Sequence, residues 1–576
     1  MSAPSLPEEF QYILDKREQN RKMPISRLPA ELYSTIFLEV RDSILRDAKY
    51  SEDSRISRHY FGAKDWIRVA QICHAWRSLV LELPQFWSLI HLESYHPQWA
   101  AEMLSRSKNY PATIRVDLIV DDISEEQTAD AFALLNTQVK YNISRLKELR
   151  LRRMVPEHLH DFFFHQLSAP ALESFRMACF PSKVSSQSRP FVFSDRLLHA
   201  SSLKRLSLVC CQIDWDSQIF SGLTHLRLSY LPEGHRVTVR RFISVISQIS
   251  QLESLSIREI FDDDAHDDHD EFQESKVELP YLRHVHLSLD MNYMADFLLS
   301  IKLPSACMVR MQTLWDRRTE DPCENYYRIT KFFHDLYRPG ATQILPNQPR
   351  IQSLRIAKSV LEDFTVQAFY EKLSHDEMNV PHLHPPLNFY FGWEDWSNEG
   401  LEMFNLEMDA LCPFLKALPL QDLAVLEIVG NFSNLDHMFW ADHFGTIPTL
   451  ESILLYSNSE RLFVALGGLA VLTRSAGFPP DFVGLKKLYI QDPTSKMQLI
   501  IHALELREEM GYPIEHLRLL SPPSASQASD QAMSEVTVAN CSIAFAQSDF
   551  KVWRWMKNVE VDSDSDDDVI VCSKGL

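Results

Sequence analysis

Glycine is scarce in this chain: 14 occur among 576 residues, where average usage would supply about 40. None of G-x-G-x-x-G, G-x-x-x-x-G-K-[ST] or G-x-S-x-G is present. A loop that cradles phosphate, or an elbow that exposes a nucleophile, needs glycine where backbone meets ligand or turns sharply. The sequence therefore argues against the common nucleotide-binding and hydrolase designs.

Other shortages narrow the class further. The nine cysteines are odd in number, scattered and without C-x-x-C, so neither a disulfide framework nor a zinc pattern is read, and reduced thiols are expected. The N-terminal stretch has acidic residues early and no apolar core of signal length. The longest apolar run, Leu462 to Leu472, is broken by two glycines and is far short of the roughly 20 residues of a membrane span. A soluble chain of the cytoplasm, the nucleus or both is expected. Basic residues are outnumbered 58 to 78, a formal charge of -20, which argues against nucleic acid or anionic membrane as partner. Most of that excess is local: Asp262–Glu271 holds seven acidic residues and Glu560–Asp568 holds six, with no Lys or Arg in either.

Two segments near the N-terminus carry a helical pattern. In "ISRLPAELYSTIFLEV" (Ile25 to Val40), Leu28, Leu32, Ile36 and Val40 recur at four-residue steps, with Ser26 as a cap and Pro29 in the first turn. In "DWIRVAQICHAWRSLVLELPQFWSLIHL" (Asp65 to Leu92), Val69, Ile72, Cys73, Trp76, Leu79, Val80 and Leu83 form one face before Pro84 ends it. Cys73 and His74 invite a nucleophile or metal-site reading. A helix would turn His74 about 100° from Cys73, so the two diverge, and Cys73 pairs with Trp76 instead.

The combination Leu28-Pro29-x-Glu31-Leu32-x-x-x-Ile36-Phe37, then Val69-x-x-Ile72-Cys73-x-x-Trp76-Arg77, then Pro84-x-x-Trp87 resembles the F-box of fungal proteins. That three-helix motif docks on the Skp adaptor of cullin-RING ubiquitin ligases. The resemblance covers residues 25–92 and implies adaptor contact by Leu28, Pro29, Leu32, Ile36, Phe37, Val69, Cys73 and Trp76. It departs from the usual pattern in a polar stretch, Arg41 to Lys64, expected as a surface loop. A motif this small leaves an apolar face, headed by Leu28, Pro29, Leu32 and Ile36, for a partner or for the next domain.

From Leu146 onward, L-x-x-L-x-L and its variants return at Leu146, Leu172, Leu203, Leu223, Leu252, Leu282, Ile351, Leu423, Leu450, Leu485 and Ile514. Further strand candidates begin at Cys307 and Leu387, and Pro111 to Asp122 is read as a first strand. Helical spacing lies between them, from Pro156, Val239, Glu324 and Lys496. A strand then a helix at a period of 20–35 residues resembles the leucine-rich repeat, although few units carry its Asn or Cys turn. The expected fold is α/β: an N-terminal extension (1–24), a helical F-box (25–92, insertion 41–64), a connecting region (93–145), a β/α solenoid (146–521) and an acidic tail (522–576).

Candidate chemistry is sparse. His266 and His269 among carboxylates are of metal-ligand type but lack a calcium-loop spacing, and dense like charge reads as a solvated insertion. Cys210-Cys211 is read as packing. Val569, Ile570 and Val571 after the acidic run resemble a SUMO-interacting motif, against an ordinary acidic tail, and Ser565 resembles an acidophilic kinase site. No catalytic residue, metal or cofactor is expected. The reading is a non-enzymatic adaptor: Skp and a cullin-RING ligase at the F-box, a target protein on the concave face of the solenoid. A scaffold that binds Skp without an active ligase is the alternative.

Overall fold

The structure is a computed structural model that describes residues 8–50, 65–91, 97–117, 132–179, 191–232, 234–262, 276–315, 322–337, 350–359, 363–378, 385–393, 411–432, 435–457, 460–467, 481–491, 497–521 and 542–547. The chain is mixed α/β with predominantly parallel strands. Its described residues divide into two compact units, the first running to Leu223 and including Tyr230–His235, the second made of Thr224–Ser229 and the described residues from Arg236 onward.

The first unit opens with α1 (Glu8–Arg21), a 3-10 turn (Pro24–Arg27), α2 (Ala30–Tyr50), a second 3-10 turn (Asp65–Gln71), α3 (His74–Glu82) and a third turn at Pro84–Trp87. The stretch from Arg41 was expected as a surface loop, yet α2 continues through Tyr50. Arg41 itself is buried. Its guanidinium donates to the Gln85 and Phe86 carbonyls at 2.6 and 3.2 Å and to Asp42 Oδ1 at 2.7 Å, so the charge is satisfied and α2 is tied to the third turn.

Parallel strands follow in chain order: β1 (Leu89–His91), β2 (Ala112–Asp117), β3 (Leu146–Met154), β4 (Ser174–Cys179) and β5 (Arg205–Val209). The sheet thus begins at β1, inside the stretch that resembles an F-box, and its next strand, β2, falls within the strand expected from Pro111 to Asp122. Helix α4 (Pro97–Arg106) joins β1 to β2, and α5 (Pro156–Phe162) joins β3 to β4.

The second unit contains β6 (His225–Ser229), α6 (Val239–Ser247), β7 (Ser254–Arg258), β8 (His284–Asp290), α7 (Met291–Ser300), β9 (Met308–Trp315), α8 (Pro322–Tyr337), β10 (Ser353–Lys358), β11 (Phe364–Phe369), β12 (Leu387–Trp393) and α9 (Cys412–Ala417). After these come β13 (Val425–Gly430), β14 (Ser452–Ser457), α10 (Glu460–Leu466), β15 (Lys487–Gln491), α11 (Met497–Glu509), β16 (His516–Ser521) and β17 (Ser542–Gln547). The spatial order is β6-β7-β8-β9-β12-β11-β10-β13-β14-β15-β16-β17. Only β11 runs antiparallel to its described neighbours. The reversal follows from the tight link between β10 and β11, closed by Ser359 N–H donating to the Asp363 carbonyl at 2.8 Å.

The repeated leucines explain the ladder. In Leu226↔Leu255↔Val285↔Val309 and in Leu354↔Leu426↔Ile453↔Leu488↔Leu517, equivalent apolar residues stack in register, and all are buried. Alternation along each strand sends these side chains to one face. There Phe389 of β12 meets Phe333 of α8 at 5.0 Å and Phe414 of α9 at 4.6 Å between ring centroids. Where standard repeats carry an Asn or Cys turn, these units close the bend before the strand with an i to i−3 backbone bond. Examples are Leu203 to Ala200, Leu252 to Ile249, Leu423 to Leu420 and Leu485 to Phe482.

Candidate docking surface and the opposite sheet face

Helix α2 sorts its side chains by register. Tyr33, Phe37 and Arg41, at four-residue steps, are buried, and they are the face that packs inward. Leu32 and Ile36, one position earlier in each turn, are 50% and 42% exposed. Pro29 is exposed, and its carbonyl accepts the N–H of Leu32 and Tyr33 at 3.1 and 3.2 Å, so it starts the helix. Ser26, expected to cap, instead sits in the preceding turn and donates its hydroxyl to the Asn20 carbonyl at 2.6 Å. The Tyr33 hydroxyl donates to the Ile25 carbonyl, which fixes that turn over the helix.

The second expected helix is interrupted. Residues Asp65–Gln71 form a 3-10 turn, the chain extends at Cys73, and α3 starts at His74. Cys73 therefore does not share a helical face with Trp76: it is the N-cap, and its Sγ accepts the Trp76 N–H at 3.5 Å, satisfying an amide that has no partner within the helix. His74 is exposed. The Trp76 indole packs on Tyr33 and Phe37 at 5.7 and 5.1 Å between centroids. Below them Trp66, Phe86 and Trp87 meet edge to face at 4.8–5.9 Å, and the Trp87 indole donates to the Val80 carbonyl at 2.8 Å.

The eight residues named from the motif thus separate into two sets. Phe37 and Val69 are 1% and 8% exposed, and Cys73 and Trp76 are half-buried, the first capping α3 and the second packing it on α2. Leu28 is half-buried, and Pro29, Leu32 and Ile36 form the outward set. Three exposed apolar residues of this segment were not among the eight: Ile25 at 45%, Ile72 at 62% and Leu81 at 38%. Ile72 was placed on the packed helical face by its spacing, and the break before α3 turns it out. Leaving Leu32 and Ile36 half in water forgoes about 1 kcal/mol each relative to full burial.

The opposite face of the second unit's sheet is partly closed by its own chain. Residues Tyr370–Met378 lie over β10: Ser353 Oγ donates to the Glu371 carbonyl at 2.8 Å, and the Leu373 N–H donates to Ser353 Oγ at 2.9 Å. Leu373 and Met378 bury against Ala357, Val425, Val429, Leu454 and Tyr456. Within this layer Arg355 and Glu427, register partners on β10 and β13, form a buried ion pair at 2.5 Å, and Arg355 also donates to the Met378 carbonyl. Lys372 meets Glu451 at 2.6 Å and holds that carboxyl below its ordinary pKa.

Of the remaining candidates, the cysteines at the end of β4 and after β5 lie among the described residues. Burial pushes the Cys179 thiol up to about 12 and raises that of Cys211 well above its ordinary value, and both are packed, as expected for small apolar side chains. Among the described residues no group of three or more His, Cys, Asp or Glu is placed to hold a metal ion, and no helix is long and apolar enough to cross a membrane. His266, His269, Ser565 and Val569, Ile570 and Val571 lie outside the described residues. Neither a protein-family model nor a curated protein matches the chain.

Proposed function

We propose that this chain is the substrate-recognition adaptor of a Skp-cullin-F-box ubiquitin ligase. In this reading the helices from Ile25 to Trp87 dock on the Skp subunit, and the β/α repeats form a leucine-rich-repeat-like solenoid that holds a target protein. Catalysis belongs to the partners, and the chain acts by raising the effective concentration of target near the ubiquitin-charged enzyme. The observation that carries the reading is the outward pair Leu32 and Ile36, exposed beside Pro29 while Tyr33, Phe37 and Trp76 complete a core beneath. Such a helical apolar stripe suits helix-in-groove recognition.

The test is capture of purified Skp adaptor and cullin by the full-length chain. Wild type is expected to retain both, and Leu32→Asp with Ile36→Asp to retain neither while keeping its melting temperature. Recovery of Skp without cullin would point to the scaffold role. Failure of wild type to bind Skp, or equal binding by the double variant, would sink the adaptor reading.

A further inference from the structure

Strands β10, β13 and β14 differ between their two faces. On the core face Leu354, Ile356, Leu426, Ile428, Ile453 and Leu455 are all apolar and at most 1% exposed. On the opposite face, in the layer that Tyr370–Met378 joins, buried Ser353, Arg355, Glu427 and Ser452 are interleaved with Ala357 and Val429. A permanently dry layer gains little from an ion pair, because desolvation offsets the attraction. Polar groups mixed with apolar ones suit a surface that meets a partner and is wetted when the partner leaves.

The strap Tyr370–Met378 is held there largely by its backbone. Ser353 Oγ serves both the Glu371 carbonyl and the Leu373 N–H, and Arg355 donates to the Met378 carbonyl. Leu373 and Met378 are buried, whereas Glu371, Lys372, Ser374 and Glu377 are exposed. The Lys372–Glu451 pair at the rim is 46% and 43% exposed, a setting in which an ion pair contributes little to stability. The strap also closes its own turn: the Ser374 N–H donates to Glu377 Oε2 at 2.8 Å, and the Glu377 N–H donates to Ser374 Oγ at 3.4 Å, a reciprocal cap. Bonds to backbone accept any sequence, so the choice of occupant falls to the two apolar anchors and the lysine beside Glu451.

We propose that this face is a peptide-binding site occupied by the chain's own strap. It takes from another protein a segment with a basic residue, a large aliphatic residue directly after it, and a second apolar residue five positions further on, as in Lys372, Leu373 and Met378. The tether holds the strap at high effective concentration, so the site is closed in the resting chain and is entered as the strap lifts. This inference goes beyond the adaptor reading and does not rest on it.

Two measurements on the full-length chain test it. In wild type, the Leu373 amide is expected to exchange with solvent about 100-fold or more faster than the amides of Ile356 and Ile428, because the strap opens locally. Equal protection of the three would make the strap part of a fixed core and overturn the site, a result that needs no variant to fold. The second uses a fluorescent peptide with the sequence of residues 370–378, read by anisotropy. A chain with Leu373→Ser and Met378→Ser, whose strap has lost its anchors, is expected to bind it about tenfold or more tightly than wild type. The same peptide with both anchors changed to serine does not bind. No binding to the opened chain, or equal binding of the two peptides, overturns the site. Equal affinity of wild type and the opened chain overturns the strap as its occupant.

Discussion

The indole of Trp76 leans on the ring of Phe37, 5.1 Å between centroids and tilted by 56°. Two residues that the motif implied for partner contact are thus partners of each other, and their neighbours Leu32 and Ile36 are the ones left outside.

Core and surface variants on this helix should therefore separate. Phe37→Ala is expected to destabilise the N-terminal helices by about 3–5 kcal/mol, read as early loss of near-ultraviolet dichroism on heating. Leu32→Asp should stay within about 0.5 kcal/mol of wild type. Equal destabilisation by both would contradict the register described for α2.

The Arg355 and Glu427 pair sits 7% and 1% exposed on adjacent strands. Removing one partner leaves a buried charge uncompensated, so Glu427→Gln should cost about 3 kcal/mol or more in urea unfolding. Arg355→Met combined with Glu427→Leu should lose less than the sum of the single changes. Additive losses would mean that the two charges do not interact.

Gly430 ends β13 at a φ of +102°, and a methyl group there would sit 2.2 Å from the Lys358 carbonyl oxygen. Gly222 also has positive φ, +82°, but nothing lies within 4 Å of the added carbon. Gly222→Ala should lose only the backbone term, on the order of 1 kcal/mol, and Gly430→Ala distinctly more. Thermal melts of the two variants decide it, and equal shifts would refute the close approach of β10 and β13.

Thiol ionisation gives a pH dependence of known sign. Burial raises Cys179 and Cys307 from an ordinary 9.0 to about 12. A folded-state value above the unfolded one stabilises fully below the unfolded value and is lost as pH rises through the folded one. Stability should fall between pH 9 and about 12, a trend that Cys179→Ala with Cys307→Ala flattens. At pH 8, alkylation mapped by mass spectrometry should mark half-buried Cys73 before either buried thiol. Early labelling of Cys179 in native protein would contradict its packing.

Much of the ladder was legible because burial imposes period two on each strand: Leu226 with Leu228, or Leu488 with Ile490, declares a face without any tertiary knowledge. The helices at Pro156, Val239, Glu324 and Lys496 were legible for the same reason at period 3.6. Strand β11 was not, since "FTVQAF" lacks the leading leucine and its reversed direction is set by a tight link that local pattern does not encode. Nor was the role of Cys73, because a cap and a core position both suit a small apolar residue. Arg41 read as solvent-facing since only the fold brings the Gln85 and Phe86 carbonyls to it.

The reversed strand β11 also bears on how the second unit comes together. An array built strictly in chain order can grow one repeat at a time, each new strand finding its neighbour already in place. Here Met308–Trp315 must wait for Leu387–Trp393, and Ser353–Lys358 for Val425–Gly430, so the middle of the unit closes only after a long excursion of chain. Pairings of such large sequence separation slow folding. They also bind the two flanks into one cooperative block, which cannot lose a central repeat and reseal as a simpler array could.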